Sequence, residues 1–135
     1  MLLFLRALFL VVIASMLWVT SWASAQSPLF AIPREVFAHP WFIATMADAY
    51  WGFLTFFVWV FYQQTSWLAR LAWLVAILLL GNIAMAAYCL AQLFRAAPGD
   101  DLSSVLTRRT DRVGWLGPVL ALLGCAVVGG ALAAR

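Results

Sequence analysis

Apolar residues run almost unbroken along four stretches of the chain: Leu2–Trp22, Trp41–Tyr62, Trp67–Phe94 and Trp115–Ala134. Each is close to or above the roughly 20 residues that carry a helix across about 30 Å of hydrocarbon at about 1.5 Å per residue. Polar residues and chain breakers collect between them. Gln26-Ser27-Pro28 and Ile32-Pro33-Arg34-Glu35 follow the first stretch, Gln63-Gln64-Thr65-Ser66 the second, and Ala97-Pro98-Gly99-Asp100-Asp101 the third. Membrane strands alternate over segments of about ten residues, and these runs are continuous and longer. The pattern predicts an all-α membrane protein, a four-transmembrane-helix bundle forming a single domain over residues 1–135. The third stretch would extend about 42 Å as one helix, so it must tilt or protrude.

The first stretch has a second reading. Arg6 precedes its apolar run, and Ala23-Ser24-Ala25 has the form of a signal cleavage site. Cleavage would leave three spans. The run reaches the length of a span and is long for a signal, which favours a retained helix.

Composition agrees with the pattern. Apolar residues make up 67% and charged residues 10%, against about half and about a quarter in soluble domains. This excludes a soluble enzyme, a disordered tail and a nucleic-acid-binding module. The net charge of +3 comes from eight Arg, with no Lys, against five acids. These arginines are too few and scattered to track a phosphate backbone. Trp18, Trp22, Trp41, Trp59, Trp67 and Trp115 mark the edges of the stretches, as interfacial belts do.

Arginines near span ends set orientation. With four spans, Arg34, Arg95, Arg108, Arg109 and Arg112 share one side, and Arg6, Arg70 and Arg135 the other. The third connection, residues 95–114, is then expected to be cytoplasmic in a plasma (inner) membrane, with both termini outside. Arg6 and the terminal amine pull the other way. A short amphipathic helix capped by Asp100 or Asp101 is expected in this connection. Arg108, Arg109 and Arg112 after it are candidates for contact with lipid headgroups, beside the plainer reading of a solvated basic loop.

Asp48 is the one acid inside a stretch. A charged Asp at a helix centre costs about 2.5–3.5 kcal/mol on insertion scales, so it needs a partner, water or a proton. At 100° per residue, Thr45, Asp48, Gly52, Thr55, Trp59 and Tyr62 fall within an arc of about 100°. Phe42, Met46, Phe53, Phe56, Phe57 and Val60 lie opposite. The polar stripe is expected to face protein and the phenylalanines lipid. If the third stretch is one antiparallel helix, Tyr88 lies level with Asp48, and Asn82 lies deeper. The intramembrane site candidates are therefore Asp48, Asn82, Tyr88, Thr45 and Thr55. They act either as interhelical glue, each contact worth about 0.6–2 kcal/mol, or as the lining of a polar pocket or proton path.

Other chemistry is thin. Cys89 and Cys125 fall inside stretches without a C-x-x-C spacing and read as small buried hydrophobes. His39 is the only histidine. No metal site, cofactor, catalytic triad, phosphate loop or dinucleotide fingerprint is expected. In the last stretch, Ala126, Gly130 and Ala134 have the four-residue spacing that lets helices approach closely.

The wording of the middle of the chain is distinctive. Trp41-Phe42, Ala44-Thr45, Asp48-Ala49-Tyr50, Gly52-Phe53, Thr55-Phe56, Trp59-Val60 and Tyr62 are followed by Gly81-Asn82-Ile83-Ala84 and Leu93-Phe94. With Thr20-Ser21-Trp22-Ala23-Ser24 and Pro28-Leu29-Phe30, this resembles an uncharacterised family of small multi-span membrane proteins, classed as a domain of unknown function. The resemblance covers roughly residues 1–112 and leaves the last stretch outside. It implies a helical membrane protein with the first span retained, and supplies no reaction or ligand. The expected function is a non-catalytic accessory or scaffold component, partnered by the lipid bilayer and by other membrane subunits or itself. Proton-linked transport or small-ligand binding through Asp48 is one alternative. An intramembrane enzyme for a lipid or isoprenoid, with protonated Asp48 as general acid, is another.

Overall fold

The computed structural model describes residues 1–97, 101–111 and 113–133. They form seven helices: α1 (Leu2–Gln26), α2 (Arg34–Ala38), α3 (Pro40–Gln63), α4 (Trp67–Leu80), α5 (Asn82–Phe94), α6 (Leu102–Thr107) and α7 (Leu116–Ala133). No strand occurs among the described residues. The fold is all-α, and α1, α3 and α7 are long and apolar enough to cross a membrane. Pro40 opens α3 at its first position, where its missing N–H costs nothing. Asp101 holds the N-cap position of α6 without a side-chain capping bond; the alternative cap Asp100, and the end of the last stretch at Ala134, lie outside the described residues.

The third stretch is not one helix. It breaks at Gly81, whose φ is +53°, a conformation that side chains rarely allow. The Gly81 N–H closes α4 on the Ile77 carbonyl at 2.8 Å, and its carbonyl accepts from Met85 at 3.1 Å to open α5. The chain reverses here. In a continuous helix Trp73 and Tyr88 would stand about 22 Å apart; their ring centroids are 4.8 Å apart. α4 and α5 are therefore two arms of a tight hairpin, each about 20 Å long. The four-span expectation becomes three long helices and one half-length hairpin. The reason is local: a positive-φ glycine in the middle of an apolar run turns the chain instead of bending it.

The hairpin organises the bundle. Its open end, the base, gathers the C-terminus of α3 and the N-termini of α1 and α7. Arg6 of α1 donates to the Leu93 carbonyl at 2.8 Å and lies 4.9 Å from the Phe94 ring centroid. Gly117 of α7 lies against the Trp73 indole, and one α7 heptad further Gly124 lies against Leu79 near the tip. A Cβ on Gly117 would meet Trp73 Nε1 at 2.9 Å, and one on Gly124 would meet Leu79 Cβ at 2.8 Å. Small residues thus let α7 approach α4 closely. The two faces of α5 are both buried. Ala84, Tyr88 and Gln92 join the core, while Ala86, Leu90 and Leu93 on the other side are covered where α1 packs.

α3 presents the opposite face to that expected, except at Trp59, the one member of the stripe that packs on the core. Phe53, Phe56, Phe57 and Val60 pack against the hairpin, around a core of Val60, Trp73, Ala76, Ile77, Ala84 and Tyr88. Asp48, Gly52, Thr55 and Tyr62 face outward. Aromatic bulk fills the hollow beside the slim, alanine-rich hairpin, which a stripe of Gly and Thr would leave empty. The threonines need no interhelical partner, because Thr45 Oγ1 donates to the Trp41 carbonyl and Thr55 Oγ1 to the Trp51 carbonyl, both at 2.8 Å.

Replacing Gly81 by Ala should open the hairpin. The backbone strain is worth about 1–3 kcal/mol, and the new Cβ would sit 2.8 Å from Phe53 Cζ. Thermal unfolding in mild detergent should show a lower midpoint for Gly81→Ala, while Gly52→Ala, with nothing within 4 Å of its Cβ, stays near wild type.

Candidate functional site

The densest polar chemistry lies at the hairpin base. The end of α3 supplies Gln63 and then Gln64, and α5 supplies Tyr88 and Gln92; all four are buried. The Tyr88 hydroxyl donates to Gln63 Oε1 at 2.9 Å and accepts from Gln64 Nε2 at 3.0 Å. Gln92, one turn beyond Tyr88, approaches the same hydroxyl. The phenol ring stands edge-on to three neighbours, Phe56, Trp59 and Trp73, at centroid distances of 6.1, 5.4 and 4.8 Å. Such edge-to-face contacts each add about 0.5–1.5 kcal/mol beyond burial.

Gln63 also holds the connection that follows α5. Its Nε2 donates to the carbonyls of Val105 at 2.7 Å and Leu106 at 2.9 Å, at the end of α6. Trp59 Nε1 donates to the Leu106 carbonyl at 2.9 Å. Thr110 N–H donates to the Gln63 carbonyl at 2.8 Å, and Thr65 N–H to the Thr110 carbonyl at 2.9 Å. α6 is thereby tied under the bundle, with Val105 as its buried contact. A small cavity beside the cluster is lined by Gln64, Trp73, Tyr88, Gln92, Arg95 and Gly117, among others. At about 20 Å³ it has room for a single water.

The bonded groups of the cluster are neutral, with the Arg95 cation beside them at the cavity. The cluster holds amides and a phenol, with no carboxylate, imidazole or thiol among its bonded groups. It can satisfy buried polar atoms, hold a water and fix one packing, and it has no acid–base pair or nucleophile with an activating base. No group of His, Cys, Asp and Glu among the described residues is arranged to hold a metal ion.

The expected site residues are dispersed. Tyr88 is in the cluster, bonded to glutamines instead of Asp48. Asp48, Thr45 and Thr55 are exposed along α3, and Asn82 is exposed at the hairpin tip as the first residue of α5. Arg108 Nη1 donates to the Arg95 carbonyl at 2.7 Å, and the Arg109 guanidinium lies 5.2 Å from the Tyr62 ring centroid. Arg112 lies outside the described residues. Cys89 is half-buried and Cys125 exposed, both as free thiols. Sequence reasoning missed Gln63, Gln64 and Trp73. The available signal was the connection Gln63-Gln64-Thr65-Ser66, which lacks Gly, Pro, Asp and Asn and so reads poorly as a solvated turn.

The family described as protein of unknown function (DUF1475) matches residues 2–125. The chain belongs to this family. The DUF1475 match covers α1 through α6 and reaches Cys125 in the middle of α7, so the first half of the last helix lies within the family match, where the sequence had placed the whole stretch outside it. Neither a curated protein nor a solved structure matches the chain.

Tyr88→Phe keeps the aromatic packing and leaves Gln63 Oε1 without its donor and Gln64 Nε2 without its acceptor. A loss of about 1–3 kcal/mol is expected for such orphaned buried groups. It should appear as a lower unfolding midpoint, and α6 should become cleavable by protease at lower temperature than in wild type.

Proposed function

We propose that this DUF1475 protein is an integral membrane accessory component, without catalysis of its own, that docks on another membrane protein through the outward stripe of α3. The observation that carries this reading is the stripe itself. Asp48, with Gly52 and Thr55, lies on the face of α3 turned away from the hairpin. Asp48 stands about 12 Å from the start of α3, a depth at which ionisable residues normally face protein or water. Gly52 gives a partner helix close access, since nothing lies within 4 Å of its Cβ position. The neutral bonded groups and closed character of the base cluster favour the accessory reading over transport or catalysis.

The hairpin also revises the orientation. Because α4 and α5 return to the side they leave, Arg6, Arg70, Arg95, Arg108 and Arg109 all belong to the base. Arg34, beside Glu35, is at the other end of α3. By the positive-inside rule we read the base, with the amino terminus, as cytoplasmic. The connection 95–114 stays cytoplasmic, as expected for a plasma (inner) membrane, and α7 now runs outward. The close fit of α1 on α5, with Arg6 bonded to Leu93, supports retention of the first span.

Two measurements test these readings. With Cys89 and Cys125 replaced by Ala, single cysteines at Ser66 and Ala97 should label from the cytoplasmic side, and one at Ala31 from the opposite side. Labelling of Ser66 and Ala97 from opposite faces would sink the hairpin topology. For docking, the tagged protein should co-purify stoichiometrically with a larger membrane protein. Asp48→Leu and Gly52→Ile should each reduce that yield at least tenfold, the equivalent of about 1.4 kcal/mol, with an unchanged unfolding midpoint. Undiminished yield from both variants would reject the stripe.

A further inference from the structure

A groove between α3 and α4 at the base of the bundle is walled by Phe57, Phe61, Trp67, Leu71 and Leu74, with Arg70 at its end. The Arg70 side chain is held in place. Its Nε donates to the carbonyls of Gln64 at 2.6 Å and Phe61 at 3.2 Å. Its guanidinium carbon lies 3.8 Å from the Phe61 ring centroid and 6.0 Å from that of Trp67. These contacts fix the guanidinium plane and use one N–H of the five that arginine carries. The four terminal N–H donors have no acceptor among the described residues, and no carboxylate pairs with the cation.

We propose that this groove binds one anionic phospholipid, with its phosphate on Arg70 and an acyl chain along the aromatic wall. The direction fits. Leu74 lies one turn of α4 inward from Arg70, and Phe57 one turn of α3 inward from Phe61, each about 6 Å. The apolar wall thus runs from the cation toward the bundle interior, as a chain runs from its headgroup. Charge fits as well. A planar guanidinium with free forked donors matches phosphate geometry, and the arginines gathered at the base favour a net negative lipid over a zwitterionic one. An apolar partner helix would bury the bare cation against hydrocarbon. The proposal rests on the membrane reading and not on the docking reading, because Phe57 and Asp48 point to opposite sides of α3.

The test uses the full-length protein in mild detergent, with thermal unfolding followed upon addition of phosphatidylglycerol, phosphatidylcholine or inorganic phosphate. Phosphatidylglycerol should raise the midpoint by about 5 °C or more at saturation, phosphatidylcholine by less than half as much, and inorganic phosphate not at all. Leu74→Trp fills the groove and leaves the Arg70 contacts in place, so it should lose the phosphatidylglycerol shift. Leu71→Trp, at the exposed rim, serves the same purpose if Leu74→Trp does not fold. Arg108→Gln with Arg109→Gln should keep the shift. Equal shifts from the two lipids, a shift from phosphate alone, or a full shift in the groove-filled variants would overturn the proposal. A protein found in the soluble fraction without detergent would instead refute the membrane reading.

Discussion

The positive φ at Gly81 is the constraint on which the other contacts rest. A glycine without a Cβ reverses the chain where any other residue would either continue the helix or strain it. Because the chain turns back, Tyr88 meets Trp73, both ends of the third apolar run arrive at one side, and α3 finds a two-armed surface in place of a single helix. Phe53 closes over the turn so tightly that an added methyl group would force its ring to shift. The backbone conformation and the packing above it therefore support each other.

A hairpin that stops halfway through a bundle leaves polar backbone and side-chain groups at its open end, and the sequence meets this with amides. Glutamine carries two donors and an acceptor of two lone pairs at the end of a flexible stem. Gln63 can therefore join Tyr88 of α5 to the carbonyls at the end of α6, and Gln64 can reach the same phenol from the other side. A charged pair in that position would carry a desolvation cost that amides avoid. Neutral hydrogen bonds, edge-on aromatics and the two glycines of α7 against α4 are enough to fix one arrangement.

Much of this was legible in the sequence, and the limits have physical causes. Apolar run length located all three span-length helices, because it measures transfer into hydrocarbon directly. The short α6 and its start after Asp101 followed from local propensity, although the Asp101 carboxylate makes no capping hydrogen bond. The hairpin did not follow, because hydropathy is blind to direction: an apolar run of 28 residues (Trp67 to Phe94) suits one tilted helix or two half-length ones equally. Only Gly81 distinguishes them, and a glycine in a membrane helix is common. The inverted face of α3 has the same root. The inward reading of Asp48 takes the chain's own helices as its partners, whereas the structure leaves it exposed on α3. Tyr88 reads in the sequence as level with Asp48 on one long helix, whereas the hairpin carries it to the base, where it bonds Gln63 and Gln64.

The two halves of the molecule then differ in kind. Below the hairpin tip, α3, α4, α5 and α7 enclose a core, and α1 covers the outer face of α5. Above it, α1, α3 and α7 continue without the hairpin between them, and no residue of α1 is buried anywhere along its length. An isolated bundle gains nothing by carrying three long helices past the end of its core. On the membrane reading proposed above, the extra length would bring each helix to the opposite interface, with the hairpin confined to one leaflet. The half without a core is also the half that holds Asp48, Thr45 and Gly52. The chain thus separates two tasks along one axis: the base folds the protein, and the far half presents surface. A charged residue in that surface is costly when it faces lipid, and among the described residues no other element covers Asp48.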